Sequence, residues 1–316
     1  VIRGNVVFEN QNIEDFVVRR ADGTATFFTA NAVDDFDLGI THVVRGEDLV
    51  NVTPKVIMLR EALGAQGLPK FAHLPLIVNE QRKKLSKRRD DVALESYRDR
   101  GVLAKAMINY LALLGWGPSD DIEVRPIEEI IQLFRLEDVN PSAAMFDVKK
   151  LEAINGDYIR AMTHEEFADA LTPWMKDQAW NSAVDPDQLT QVAPLVQERT
   201  RVLAEGPPQL DFFFLDAPEI EESAWEKVMT TAEAPLILES AKTAFATVDW
   251  DVAVLHESLR AIGESHGMKL GKAQAPVRVA VTGRLVGPPL FESIHALGRE
   301  AVLERIVQAQ NKLGGT

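Results

Sequence analysis

The sequence predicts an α/β amino-terminal part followed by an all-α remainder, and three observations carry that reading. Short apolar runs rich in valine, isoleucine and phenylalanine, each bounded by polar turn formers, are confined to about the first 80 residues. From about residue 92 the apolar positions recur at three- and four-residue spacings, the period of helices that bury one face. Between the two patterns lies Arg82-Lys83-Lys84-Leu85-Ser86-Lys87-Arg88-Arg89, where six of eight residues are basic in a chain of net charge -14. Cations concentrated in an acidic protein mark a local meeting point for anions, although a solvated basic turn has the same composition.

Residues 1 to about 48 are expected to be strand-rich. Val6-Val7-Phe8 and Phe16-Val17-Val18 are β-prone, Ala21-Asp22-Gly23-Thr24 supplies an Asp-Gly hairpin turn, and Thr26-Phe27-Phe28-Thr29 continues the strand pattern. Ile40-Thr41-His42-Val43-Val44 is nearly continuous in hydrophobicity, which predicts a buried parallel strand. Arg45-Gly46-Glu47-Asp48 follows directly, where open α/β sheets gather ligands beyond the carboxyl ends of their strands; an ordinary polar strand-to-helix loop would take the same place. A helix is predicted next, with Thr53 as its cap, Pro54 in its first turn, an apolar face of Val56, Ile57, Leu59 and Leu63, and Gly64 at its end. Phe71 to Val78 reads as a loop feeding a short strand that delivers the chain to the basic run. His73 lacks an obvious acid-base partner in the sequence, so a packing or hydrogen-bonding role is expected of it.

The helical pattern begins with Val92, Leu94 and Tyr97 and continues through Leu103, Met107, Ile108, Leu111 and Leu114 until Gly115-Trp116-Gly117-Pro118 stops it. Further helices are predicted from Pro126 to Phe134 and from Met145 to near Tyr158, and Thr163 with Glu166 forms a capping box for the next. Helices over 187–205, 222–246, 250–266 and 297–313 complete the chain, punctuated by Pro207-Pro208, Gly283 and Gly287-Pro288-Pro289.

At 316 residues the chain is long enough for two domains or three. With 34 Lys plus Arg against 48 Asp plus Glu and a pI near 5.0, indiscriminate nucleic-acid binding is disfavoured, and only local basic patches can meet a phosphate backbone. The absence of cysteine excludes a disulfide frame and a cysteine zinc site. No apolar run approaches the roughly 20 residues that cross a bilayer, and no membrane partner is expected. The start, Val1-Ile2-Arg3-Gly4, is neither a signal peptide nor an initiator and reads like the middle of a longer protein.

Lys84-Leu85-Ser86-Lys87-Arg88 resembles the KMSKS loop of class I aminoacyl-tRNA synthetases. Together with Arg45-Gly46-Glu47-Asp48, Phe71-Ala72-His73-Leu74-Pro75-Leu76, Asn109-Tyr110-Leu111-Ala112-Leu113-Leu114-Gly115-Trp116, and Phe146-Asp147 through Asn155-Gly156-Asp157-Tyr158-Ile159-Arg160, it stands in the order and spacing of bacterial glutamyl-tRNA synthetases. Lys269-Leu270-Gly271, Val281-Thr282-Gly283 and Pro288-Pro289-Leu290-Phe291-Glu292 extend the resemblance to the helical anticodon-binding region of that family. The implied architecture is the α/β remainder of a Rossmann-type class I catalytic domain over residues 1–80, the KMSKS loop and an all-α stem-contact domain over 81–160, and a helical anticodon-binding domain over 161–316. The family's HIGH motif has no counterpart, since no His-Ile-Gly-His or close variant occurs, and the chain is expected to be a fragment lacking that half.

The resemblance also implies roles. Adenylate formation builds negative charge on the leaving pyrophosphate and calls for cations that arrive with the triphosphate. Lys87, supported by Lys84, takes that task, and Ser86 lets the backbone approach the phosphates. Leu76 and Leu85 match residues that flank adenine, Asp48 one that accepts from the ribose hydroxyls, and Arg45 the arginine that pairs with the substrate's side-chain carboxylate. Asn31 matches a glutamate-contacting residue, and Phe27 stands where the family has tyrosine, which removes a hydroxyl from the amino-acid site. Arg199 matches an arginine near the third anticodon base, though an exposed helical arginine paired with Glu198 has the same sequence signature. Lys149 and Lys150 meet the inner elbow of the tRNA or are solvated. ATP with Mg2+, glutamate, tRNA(Glu) and in some members tRNA(Gln) are the implied ligands; no zinc, a monomer and a cytoplasmic location are expected. A truncated paralogue that only binds tRNA is the alternative, and the basic loop is expected to be mobile.

Overall fold

The structure, a computed structural model, describes residues 1–85 and 93–315. It divides into two compact units: Val1–Arg98 with Leu103–Ile154, and Asp99–Val102 with Asn155–Thr316.

The first unit is built on four short strands. β1 (His42–Gly46) and β2 (Lys70–Leu74) pair in parallel, with α1 (Phe27–Asp37) before β1 and α2 (Thr53–Ala62) between the two. β3 (Ile77–Val78) pairs in parallel with β4 (Ala144–Met145), and α3 (Leu94–Asp99), α4 (Ala104–Ala112) and α5 (Ile127–Leu133) lie between them in sequence. Parallel pairing needs such crossovers because a tight turn can only reverse the chain. Trp116, Ile130 and Val139 form a small core, joined by Ile2, Leu74, Ala112 and Leu136. Tyr110 is buried against Phe146, ring centroids 5.1 Å apart, and its hydroxyl oxygen accepts the Asp147 N–H at 2.6 Å, which fixes the start of α6 (Val148–Arg160). Burial pushes the Tyr110 phenol up to about 12.

Several expectations for this unit need correction. The first 48 residues are not strand-rich: among the described residues they hold β1 and one isolated antiparallel bridge, Arg19 with Ala25. That bridge does close on the expected turn, where Gly23 has φ +89° and Asp22 accepts from the Thr24 N–H at 2.9 Å. Thr26 to Thr29, read as strand, instead opens α1, because the helix buries Ala32 and packs on α2, and tertiary burial outweighs the β preference of two phenylalanines. β1 is parallel as expected but not buried; Val44 is 46% exposed. Thr53 does not cap α2, for it is already helical and its hydroxyl is directed at Leu49, Arg45 and His73. Phe71 to Leu74, read as loop, belongs to β2.

The second unit is helical throughout: α7 (His164–Lys176), α8 (Pro186–Val192), α9 (Pro194–Gln197), α10 (Pro207–Phe214), α11 (Glu222–Ala224), α12 (Ala234–Phe245), α13 (Val252–Ser265), α14 (Leu270–Thr282), α15 (Leu290–Leu297) and α16 (Arg299–Gly314). The capping box of α7 is present in both directions: Thr163 accepts the Glu166 N–H at 3.2 Å and Glu166 accepts the Thr163 N–H at 2.8 Å. Pro207-Pro208 begins a helix rather than interrupting one, since Pro207 occupies the first position, where its missing N–H would be unpaired anyway. The helices expected over 187–205 and 222–246 are each broken, the first around Pro194 and before Pro207, the second by a π turn (Trp225–Met229) and a restart at Ala234-Pro235. α14 and α15 were hidden behind Gly283 and Pro288-Pro289, although Ala273, Val277, Ala280 and Val281 carry the helical spacing. A large core gathers α12 to α16, with Phe245, Leu255, Leu259, Val277, Ile294 and Ile306 each fully buried.

The short segment Asp99–Val102 completes this unit. The Gly101 carbonyl accepts from the Leu203 N–H at 3.2 Å, and the Arg100 carbonyl accepts from the Ala204 N–H at 3.3 Å. Gly101 has φ +85°, and a Cβ there would stand 2.6 Å from the Leu203 backbone nitrogen, so both conformation and space require glycine.

Candidate nucleotide and amino-acid site

Parallel pairing of β1 and β2 sets Arg45 beside His73, register partners whose side chains share one face of the sheet. Thr53, at the start of α2, meets both. The Arg45 Nη2–H donates to the Thr53 hydroxyl at 2.9 Å and to the Leu49 carbonyl at 3.4 Å, and the Nε–H is directed at His73 Nε2 at 3.4 Å. The Thr53 hydroxyl lies 3.1 Å from the same His73 nitrogen. His73 is buried, and it is held below the usual imidazole range first by that burial and then by the positive charge of Arg45. Burial also lowers Arg45, with Asp35 opposing the shift. The hydrogen-bonding role expected of His73 is therefore the one the structure gives it.

Beyond β1 the chain turns into a 3-10 helix, Glu47–Val52, that presents two carboxylates in different directions. Glu47 pairs with Arg3 and accepts the Leu76 N–H at 3.3 Å, tying β1 to the crossover between β2 and β3. Asp48 points to solvent and accepts from the Lys84 ammonium at 2.7 Å, a bond that holds its carboxyl below the usual range.

Lys84 reaches that position because β3 turns back on itself. Asn79 stabilises the turn by accepting the Gln81 and Lys83 N–H groups at 3.1 and 3.0 Å, Arg82 takes φ +58°, and Val78 forms an antiparallel bridge with Lys84. The Leu85 N–H donates to the Ile77 carbonyl at 3.2 Å. On its other side β3 is held by β4 through the Ala144 N–H to the Leu76 carbonyl at 2.9 Å and the Phe146 N–H to the Val78 carbonyl at 2.8 Å. Leu76 and Leu85, both half-buried, thus stand on one hairpin with Lys84, next to Asp48. Ser86 and Lys87, and with them the expected mobility of the basic loop, lie outside the described residues.

These bonds bring Asp48 to Lys84 on the hairpin that carries Leu85, and Leu76 to Glu47 next to Asp48, while Arg45 turns to His73, Thr53 and Leu49. Phe27 and Asn31 sit one turn apart on α1, where the Asn31 amide donates to the Phe27 carbonyl at 2.9 Å and the Phe27 ring is half exposed. A cavity of about 260 Å³ is lined by Arg3, Val6, Phe8, Thr53, Phe71 and His73, and none of Phe27, Asn31, Arg45 or Asp48 lines it. Among the described residues no cluster of three His, Asp or Glu side chains is arranged to hold a metal ion, and no helix is long and apolar enough to cross a membrane. In the second unit the exposed Arg199 donates to the Gly287 carbonyl, while Arg278 donates to the Pro288 carbonyl at 2.8 Å. Lys150 pairs with Glu123 at 2.5 Å, and Lys149 is exposed.

Sequence reasoning missed Glu47 and Thr53. Thr53 could not be found without the strand register, because Arg45 and His73 come together only as partners of β1 and β2, and Phe71 to Leu74 reads as a loop.

Residues 1–153 match the family model for the catalytic domain of class I tRNA synthetases (E and Q), and residues 166–310 match the anticodon binding domain. Fold and motifs together define a class I aminoacyl-tRNA synthetase. The glutamate–tRNA ligase of Frankia casuarinae is 52% identical over 318 residues, covering 100% of this chain and 67% of the relative, and that of Salinispora arenicola is 53% identical, covering 99% and 68%. A crystal structure of a glutamate–tRNA ligase from Elizabethkingia meningosepticum, in complex with its amino acid, superposes with a TM-score of 0.84 at 29% identity, covering 99% of this chain and 65% of that one. The chain belongs to the glutamate–tRNA ligase family and spans about two thirds of the length of these relatives.

Proposed function

We propose that these residues form one side of an adenylate-forming site, and that the whole protein ligates glutamate to tRNA(Glu) through a glutamyl-adenylate made from ATP. The observation that supports this most is the convergence of Asp48 and Lys84 on the β3 hairpin between Leu76 and Leu85, with Arg45 three residues before Asp48 near the carboxyl end of β1. Leu76 and Leu85 offer apolar surface to a flat base, Asp48 accepts from ribose hydroxyls, and Lys84 with Lys87 follows the charge that develops on the leaving pyrophosphate. Magnesium accompanies the nucleotide as its counterion. Arg45 pairs with the substrate carboxylate, with Asn31 and Phe27 bordering the amino acid. Arg199 meets the anticodon, with tRNA(Gln) a further substrate to be tested. The protein acts as a cytoplasmic monomer.

Pyrophosphate exchange tests the reading. In the full-length protein, Lys84→Ala is expected to lower glutamate-dependent exchange about tenfold to a hundredfold, and Asp48→Ala to raise the KM for ATP. Normal kinetics in both variants would remove this hairpin from the site. The 316 residues alone contain no His-Ile-Gly-His sequence to grip the nucleotide from its second side, so robust exchange by this polypeptide would contradict the proposal. Charging of tRNA(Glu) and tRNA(Gln) by Arg199→Gln decides the anticodon role, and unchanged selectivity would exclude it.

A further inference from the structure

The contacts of Arg45 leave one end of its guanidinium unused. Nε and Nη2 are directed at His73, Thr53 and Leu49, whereas Nη1 has no hydrogen-bond partner among the described residues. A guanidinium binds a carboxylate best when its plane is fixed beforehand, because the two N–H bonds then form without further ordering. Two networks of protons are compatible with the heavy atoms. If His73 carried its proton on Nε2, that proton would go to the Thr53 hydroxyl oxygen at 3.1 Å, and the Arg45 Nε–H, 3.4 Å from the same nitrogen, would face a donor. If it carries the proton on Nδ1, Nε2 accepts from Arg45 and the Thr53 hydroxyl accepts from Nη2.

We propose that His73 is a positioning residue for substrate recognition: as the Nδ1–H tautomer it accepts the Arg45 Nε–H and, with Thr53, fixes the guanidinium plane so that the two N–H bonds of Nη1 face the carboxylate of the amino acid. The role of Arg45 as carboxylate partner is its premise. The surroundings favour an imidazole without charge. From β1 it faces Arg45, and from the amino-terminal segment Arg3 and the Val1 amino group, all cationic; α2 contributes the uncharged Thr53, and Asp35 acts on Arg45. Protonation would add a cation beside these and turn the acceptor of the Arg45 Nε–H into a donor.

Nitrogen-15 NMR of His-labelled protein, with the His73 signal assigned through His73→Gln, reads the tautomer without perturbing the site. A protonated Nδ1 with unprotonated Nε2 is expected near neutral pH; a protonated Nε2 overturns the proposal. Kinetics in the full-length protein then separate the inference from its premise. Arg45→Gln is expected to raise the KM for glutamate about tenfold to a hundredfold. His73→Ala is expected to raise the same KM about tenfold with the KM for ATP unchanged, and His73→Gln, whose amide oxygen can accept the Nε–H, to recover most of the loss. In wild type the KM for glutamate climbs as pH falls below the ordinary imidazole range, and in His73→Gln it stays flat. If Arg45→Gln leaves the KM for glutamate unchanged, the premise fails and the proposal with it. If Arg45→Gln raises it but neither His73 variant does, or wild type shows no rise on acidification, the proposal fails and the premise stands. Thermal unfolding of each variant identifies any that lose the fold, and the wild-type tautomer decides independently of them.

Discussion

The two units bury their apolar residues to very different degrees. Among the described residues, 24 of the exposed large hydrophobic side chains lie in the first unit and four in the second. Two buried arginines show the same contrast. Arg305, in the second unit, donates to the carbonyls of Val281, Phe212 and Leu215 at 2.7 to 2.8 Å, joining α16 to the ends of α14 and α10. Arg60, in the first, is just as enclosed, yet its Nε and Nη1 have no hydrogen-bond partner among the described residues, and its visible compensation is the Phe36 ring 5.7 Å away. Each arginine keeps a buried Nε without a partner among the described residues, as does Arg284, so the contrast lies in what the rest of the guanidinium does: that of Arg305 ties three backbone carbonyls together, while the α/β unit also leaves more apolar surface exposed around the strands of the candidate site. Stability and chemistry are therefore concentrated in different places.

Substitutions can break that contrast, beginning with the largest expected effect. Phe245→Ala, in the packed helical core, should destabilise the second unit by about 3–5 kcal/mol, while Val44→Ala on the exposed strand should change the first by less than about 0.5 kcal/mol. Trp116 is the one tryptophan of the first unit, so urea unfolding followed in wild type and in Trp116→Phe separates the two transitions. Equal losses from both substitutions would abolish the distinction. Arg305→Met leaves three carbonyls without their donor and should cost about 3 kcal/mol, whereas Arg60→Met, which removes unpaired donors, should be neutral or stabilising by the same measurement.

Alkaline titration of Tyr110 reports on the first unit. The Tyr110 phenol is raised from 10.0 to about 12, so the folded state keeps a proton that the unfolded chain releases. Its contribution is complete below pH 10 and is lost as pH rises through 12, a decline of about 2–3 kcal/mol. Tyrosinate absorbance should show a late titration that Tyr110→Phe removes. The smallest effect expected is that of Thr163→Ala, about 1 kcal/mol from the lost cap of α7, read from the same urea curves.

The sequence was most legible where local chemistry decides the outcome. The capping box at Thr163 and Glu166, the Asp22-Gly23 turn and the parallel setting of β1 were each readable from neighbouring residues. It was least legible where tertiary contacts override preference, as at Phe27 and Phe28, which begin a helix because α1 packs on α2. Proline misled in both directions, since its meaning depends on whether the missing N–H falls in a first turn, as at Pro207. Within the site, the motifs supplied Arg45, Asp48 and Lys84, but not the bonds of Glu47 to Leu76 or of Thr53 to Arg45, which arise from pairing between strands far apart in sequence. The ion pair between Asp48 and Lys84 was not foreseen for the same reason.

The segment Asp99–Val102 also bears on the order of folding. Its partners around Leu203 lie about 100 residues downstream, and at roughly 5–20 residues per second a ribosome needs about 5–20 s to deliver them. Throughout that interval the segment is tethered on both sides to residues of the first unit while its own hydrogen bonds cannot yet form. The helical unit, the better packed of the two, thus cannot complete itself from residues 155 onward alone and must reach back to a strand of chain made long before.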